Sequence, residues 1–354
     1  MKHILISDPT LRDGNHAVSH QLSATQVKIY CEAANSAGVP VVEVGHGNGL
    51  AASSIQIGES LETDQVLLET ARKYLTNSKL GIHVIPGFAT IQRDLKKAID
   101  WGVDVIRVAS HCTEADITQR HIGYAKEKGK ETYGVLMMTH MASPELLVEE
   151  AQKMELYGAD GIIIMDSAGA YFPVDVTERI TSLVACLSIP VGFHAHNNLG
   201  MAIANSIAAI EAGATILDGS ARGFGAGAGN AQLEVLIAVI HKMGFTTGID
   251  LYKMLDAADI AEKELMPFVP AIKSENILSG IAGVFSGFSK HIDMISKQYN
   301  VDQRELYVEL GRRKVIAGQE DLIMEIAQDI VSKRNNNNMI NLSSDYKTNG
   351  KHAG

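Results

Sequence analysis

Short apolar runs alternate with longer amphipathic ones through the first 247 residues of this chain. Runs at 4–7, 41–44, 80–85, 103–108, 133–139, 161–165, 191–196 and 215–218 are rich in Val and Ile. Most are apolar on both faces, which suits parallel strands covered on both sides. Between them the spacing predicts helices over 24–37, 64–75, 91–101, 113–128, 143–157, 174–187, 199–212 and 231–243. Ser23, Thr113, Ser143-Pro144 and Pro173 supply start signals. Gly38, Gly102, Gly158 and Gly213 each stand between a helix and the next strand, where a left-handed turn is needed. Eight such units of α/β alternation predict a (β/α)8 TIM barrel over residues 1–247. A doubly wound open sheet would carry Gly-x-Gly-x-x-Gly after the first strand, and this chain does not. From Gly248 the alternation stops. Helical patterns at 251–263, 279–287, 288–299, 303–310 and 319–333 predict a C-terminal helical domain over 248–333. Residues 334–354 open on Asn335-Asn336-Asn337-Asn338 within an apolar-poor stretch and are expected to form a disordered tail.

Composition narrows the function. The net charge of −10 leaves no basic face to dominate, which argues against a nucleic-acid partner. Cys31, Cys112 and Cys186 are odd in number and far apart, so reduced thiols in a cytoplasmic protein are expected rather than a disulfide framework or a thiolate zinc site. No signal peptide is recognisable, and no apolar run reaches the roughly 18 residues a membrane span needs.

The chemistry-bearing residues fall at strand ends, where a TIM barrel keeps its active site. Asp8-Pro9 and Gly14 are expected to stop the first strand, and Arg12, Asp13 and His16 follow at its mouth. His194 and His196 lie two apart on the seventh strand, so both imidazoles share one face. Two such histidines and one carboxylate from another strand make a half-filled site for Mn²⁺, Co²⁺ or Mg²⁺, with open positions for a chelating substrate. After the eighth strand, the glycine-rich loop 219–230 offers backbone donors to an anion, and Asn230 is a candidate fourth, oxygen ligand. Ser167 is a candidate anchor for a substrate carboxylate, with helix capping as its other reading. His46, His83, His111 and His140 also lie near strand ends; most are read as structural or supporting groups.

The segments 10–17, 43–47, 110–116, 137–141, 194–199, 225–230 and 318–321 give the chain its family resemblance. Leu11-Arg12-Asp13-Gly14, His194-Ala195-His196 and Gly225–Asn230 resemble the metal-dependent TIM-barrel lyases and synthases, such as isopropylmalate synthase and hydroxymethylglutaryl-CoA lyase. Within that group the chain is most similar to the 4-hydroxy-2-oxovalerate aldolases, class II pyruvate aldolases of aromatic meta-cleavage catabolism; Asn15-His16 stands where the synthases carry Glu-Gln. The resemblance spans residues 4 to about 333. It implies a divalent metal, usually Mn²⁺, on Asp13, His194 and His196. Arg12, Ser167 and His194 would bind the 2-oxo acid, Arg12 stabilising the pyruvate enolate. His16 would be the base that takes the C4 hydroxyl proton, releasing an aldehyde. It also implies an oligomer and an acylating aldehyde dehydrogenase as partner, contacted through the helical extension. Two positions depart from the family. Phe285 replaces a tyrosine that assists the catalytic histidine, and His83 stands where the family is apolar at the aldehyde pocket. These departures motivate an alternative: a condensing enzyme or lyase of the same superfamily acting on an acyl-CoA or another 2-oxo acid.

Overall fold

Strands apolar on both faces close on themselves. In the computed structural model β1 (Leu5–Leu11), β2 (Val41–Val44), β3 (Lys79–Val84), β4 (Val105–His111), β5 (Glu131–Met137), β6 (Gly161–Asp166), β7 (Val191–Ala195) and β8 (Ile216–Asp218) form a parallel barrel in sequence order, β8 returning to β1. The structure describes residues 2–316 and 318–348, of which 335–348 by backbone alone. The outer strand faces pack under α1 (Ala24–Ala37), α2 (Asp64–Tyr74), α3 (Lys96–Asp100), α4 (Gln119–Glu127), α5 (Pro144–Leu156), α6 (Pro173–Cys186), α7 (Ala202–Glu211) and α8 (Leu233–Lys242). Ser23 caps α1 in a reciprocal box with Gln26, and Ser143 caps α5 with Pro144 in its first turn. Gly38, Gly102, Gly158 and Gly213 all take the left-handed backbone expected of them. Thr113 does not start α4: a separate short turn, Ala115–Thr118, precedes that helix.

The inward faces change character along the barrel axis. Val41, Val105 and Ile216 belong to an apolar inner cluster with Tyr133, Ile163 and Met165. Two residues further on, and so on the same faces, stand Glu43, Arg107 and Asp218, all buried. The barrel is filled with hydrocarbon below and with charge at the mouth.

β1 runs past the point where the sequence suggested it would stop. Asp8-Pro9 does not end it, because the β1–β2 register shifts between Asp8 and Leu11, so the missing N–H of Pro9 costs no ladder bond. Asp8 instead accepts the Thr10 N–H at 2.9 Å and the Tyr30 hydroxyl at 2.5 Å. That carries the chain straight to Arg12.

The helices after 248 divide between two cores. α9 (Leu251–Leu265) packs on α1, and its Met254, Ala257, Ala258 and Ala261 join the barrel core. α10 (Ser274–Ala282), α11 (Ser289–Tyr299), α12 (Gln303–Arg312) and α13 (Asp321–Thr348) build a second cluster with Phe288, Ile292, Leu306, Leu310, Ile323 and Ile326 at its centre. His140 at the end of β5 ties this extension down by donating to the Gly283 carbonyl at 2.9 Å. Of the tail expected over 334–354, residues 349–354 lie outside the described residues, and the side chains of 335–348 are not described. Among the described residues no helix is long and apolar enough to cross a membrane.

Candidate metal centre and active site

Asp13, His194 and His196 converge, their nearest ligand atoms within 4.8 Å of one another, and all three are buried. Each histidine is oriented from behind. His194 Nδ1 donates to the Asp218 carboxylate at 2.8 Å, and His196 Nδ1 donates to the Asp166 carbonyl at 2.9 Å. Since a carboxylate and a carbonyl can only accept, each ring carries its proton on Nδ1 and keeps the Nε2 lone pair for the pocket. His194 Nε2 and Asn230 Oδ1 are buried with no hydrogen-bond partner among the described residues. Burial opposes ionisation of Asp13, yet the Arg12 guanidinium beside it and the His196, His16 and His194 rings hold its carboxyl well below the usual carboxylate range. Two lone pairs, an ionised carboxylate and an unpartnered amide oxygen form a mixed N/O donor set that fits a divalent cation. Burial also pushes His196 down to about 4, so the ring is unprotonated and available as a ligand at neutral pH.

A line of buried charge supports this centre from within the barrel. Arg12 Nη1 reaches Asp13 Oδ1 at 2.8 Å and its Nε reaches Glu43 Oε2 at 3.2 Å. Arg107 lies 3.5 Å from the same Glu43 oxygen and 2.6 Å from Asp218, which in turn holds His194. Asp13 and His194 are thus joined through Arg12, Glu43, Arg107 and Asp218. The cluster has one more carboxylate than guanidinium, a further reason for a cation to belong there. Arg12 Nη2 is buried and has no acceptor among the described residues. Reading of the sequence overlooked Glu43, Arg107 and Asp218. The signal was available: Glu43 and Asp218 are each the one charged residue in an apolar run, Arg107 shares its run with Asp104 alone, and a charge in a strand covered on both faces must be paired.

The glycine loop closes the centre from the β8 side. Ala226 N–H and Asn230 Nδ2 both donate to Asp13 Oδ2, at 3.1 and 2.9 Å. A side chain at Gly14 would strike the Phe224 ring at 2.2 Å, so glycine at 14 lets the β1 turn and this loop meet. Ser167 is buried and its Oγ accepts the Met138 N–H at 2.9 Å; Met138 holds a left-handed backbone there.

His16 belongs to a different part of the mouth. With Phe285 it lines a cavity of about 570 Å³ between the barrel loops and the extension. Its ring sits directly over Gly47, where a Cβ would approach to 2.6 Å. His20, which the sequence did not single out, stands edge-on to His16 with ring centres 5.1 Å apart and stacks on His46 at 3.6 Å. Burial, with the neighbouring Arg12 charge, pushes His16 down to about 4 although Asp13 pulls the other way. His16 is therefore an uncharged base at neutral pH. Phe285 packs edge-on against Phe288 and presents no hydroxyl to the cavity. His83 is buried with Nδ1 3.7 Å from Glu43 Oε1, which places it beside the charged line.

Comparison with known proteins agrees with this geometry. A family model described as HMGL-like matches residues 3–261, and one described as a DmpG-like communication domain matches 270–332. Curated relatives described as 4-hydroxy-2-oxovalerate aldolase from Spirochaeta aurantia and from Pectobacterium atrosepticum are 62 % and 60 % identical, over 94 % and 96 % of this chain and 97 % and 98 % of theirs. Among solved structures, the carboxyl transferase domain of Rhizobium etli pyruvate carboxylase, with pyruvate and biocytin, superposes with a TM-score of 0.79 over 94 % of this chain and 61 % of that one. At 15 % identity that likeness is one of fold. With a closed barrel, a buried His–His–carboxylate cluster at its mouth, and relatives this similar along nearly the whole length, the chain belongs to the HMGL-like family and, within it, to the 4-hydroxy-2-oxovalerate aldolases.

Proposed function

We propose that Asp13, His194 and His196, with Asn230 as a fourth oxygen donor, hold Mn²⁺, and that Arg12 and His16 carry the retro-aldol cleavage of a 4-hydroxy-2-oxo acid to pyruvate and an aldehyde. The enzyme depends on a divalent metal, and the mixed imidazole, carboxylate and amide donors suit Mn²⁺, with Co²⁺ or Mg²⁺ as substitutes. A bound ion supplies Lewis-acid polarisation of the ketone. The chain's own groups do the rest. Uncharged His16 takes the proton of the C4 hydroxyl; the oxygen's electrons form the aldehyde carbonyl, the C3–C4 bond breaks, and its electron pair moves into the C2–C3 enolate. The free Nη2 of Arg12 is a donor for the charge that grows on the C2 oxygen. The proton removed from oxygen is the one C3 needs to become the methyl of pyruvate, so the step balances without a redox partner. Ser167, beside the mouth, is the candidate donor to the substrate carboxylate.

The observation that carries this reading is the meeting of three metal-type ligands with an unpartnered guanidinium nitrogen. Pyruvate release from 4-hydroxy-2-oxovalerate, followed with lactate dehydrogenase, should vanish with chelator and return with Mn²⁺; release that ignores the chelator would sink it.

The extension is read as the docking region for an acylating aldehyde dehydrogenase, supported by its likeness to communication domains and by the cavity it shares with His16. We place the boundary between barrel and extension after Leu265, where the helices leave the barrel core. An oligomeric assembly and a cytoplasmic location, the latter in keeping with three free cysteines, complete the reading.

A further inference from the structure

The glycine loop that supplies two donors to Asp13 is tied by backbone bonds at its far end, where the Asn197 N–H donates to the Gly229 carbonyl at 2.7 Å and the Asn230 N–H to the Gly223 carbonyl at 2.9 Å, and its middle is held by a side chain. Three of its six residues over 225–230 are glycine, and such a segment loses much freedom on ordering. Asn198 Oδ1 accepts the Ala228 N–H at 2.9 Å; within 225–230, Asp13 and Asn198 are the side-chain acceptors that the backbone donors find among the described residues. Asn198 is fully buried, two residues beyond the candidate ligand His196. Its own amide nitrogen is fixed by the Ala168 carbonyl at 2.8 Å and by Ser286 Oγ at 2.6 Å, with Ser279 Oγ further off at 3.3 Å. Ser279 and Ser286 belong to the extension. The contacts are tight as well as polar. At Gly227, which has a left-handed backbone, a Cβ would lie 2.6 Å from Asn198 Oδ1 and 2.8 Å from Ser286 Oγ. At Gly280 in α10, one would lie 2.7 Å from Leu199.

A continuous path thus runs from the extension to the metal centre: Ser286, Asn198, Ala228, the loop, then Ala226 and Asn230 onto Asp13 Oδ2. We propose that Asn198 and Ser286 are positioning residues of the metal centre, setting through the glycine loop where the Asp13 carboxylate sits, so that the helical extension is a working part of the barrel's site. Neither residue touches the reacting atoms. Groups that orient metal ligands in this way change metal affinity by about 10- to 100-fold when removed. The inference rests on the reading of Asp13 as a metal ligand.

The test is Mn²⁺ binding by the full chain, measured by titration calorimetry or by loss of the free-ion paramagnetic resonance signal, with no turnover involved. Asp13→Ala is the reference. Asn198→Ala and Ser286→Ala should each raise the Mn²⁺ dissociation constant by about tenfold or more, and excess Mn²⁺ should restore most of kcat. Leu306→Ala, in the extension core but off the path, should lower the melting temperature and leave Mn²⁺ affinity at the wild-type value. If Asn198→Ala does not fold, Ser286→Ala decides alone. Wild-type affinity in Ser286→Ala overturns the proposal, as does an equal loss in Leu306→Ala. If Asp13→Ala itself binds Mn²⁺ normally, the metal reading fails first and this one falls with it; if Asp13→Ala loses the ion and the path variants do not, only the positioning role is lost.

Discussion

The metal side of the site and the His16 side are held by different means. His194 and His196 are gripped by hydrogen bonds to Asp218 and Asp166 on neighbouring strands, Asp13 by Arg12 and the glycine loop, and ion pairs through Arg12 and Asp218 cross the barrel interior. His16 rests on the backbone of Gly47, against a stack of two further imidazoles, in a cavity walled partly by the extension. Strands that share a ladder cannot shift singly, so the two histidines sit on a rigid base, and of the three groups only the Asp13 carboxylate depends on a loop. Loops and a separately cored extension can be altered without unpicking the barrel. On the proposed mechanism, enolate formation falls to the half built on the histidines and the aldehyde to the half built on His16.

Four changes would break or sharpen this contrast. The largest effect is expected from Asp13→Ala, which should strip the metal and lower pyruvate release by at least about 10³-fold, the scale on which charge-stabilising groups act; bound metal by elemental analysis and the coupled assay check both. His16→Ala should cost about 10²–10⁴ in kcat, the usual contribution of a positioned base, while the same metal analysis shows full occupancy. A variant that lost metal as well would erase the distinction between the two halves. Arg107→Met should cost about 3–5 kcal/mol in urea unfolding, since it leaves Glu43 and Asp218 buried without their cation. The smallest effect concerns pH. Burial pushes His140 down to about 4 from 6.5, although its bond to Gly283 resists that shift. Protonation therefore favours the undocked state: the contribution is intact above pH 6.5 and is lost as pH falls toward 4. Hydrogen exchange at pH 5 against pH 7.5 should quicken in α10 while β4 to β6 stay protected; uniform protection at both values would show that this latch is not where the extension gives.

The order and direction of all eight strands could be read from the chain because a parallel barrel writes itself as unbroken apolar runs divided by capped helices. That Asp13, His194 and His196 come together was legible for a related reason: two histidines at a spacing of two, on a strand end, admit few geometries. Tertiary structure hid the remainder. Pro9 reads as a strand breaker, and only the register shift beside it shows why β1 survives. α9 has the same amphipathic pattern whether it packs on the barrel or the extension, and periodicity does not name the partner. His20 faces His16 because its backbone is left-handed, a conformation that a non-glycine residue does not announce. Asn198 drew no separate reading, because its three-way grip depends on segments as far as 88 residues away.

The line from Arg12 through Glu43 and Arg107 to Asp218 has a consequence for how the enzyme can change by descent. Each member is neutralised by its neighbours, so a single replacement strands a charge in a dry interior, whereas a matched pair of replacements restores balance. Steps that pass only in twos are rare, and the order in which they occur matters. Positions such as Phe285, in the wall of the His16 cavity and away from this line, face no such toll-gate. A lineage can therefore try new aldehydes one substitution at a time while the pyruvate half stands still, and strong epistasis among these four residues, measured in a pairwise substitution library, would be its mark.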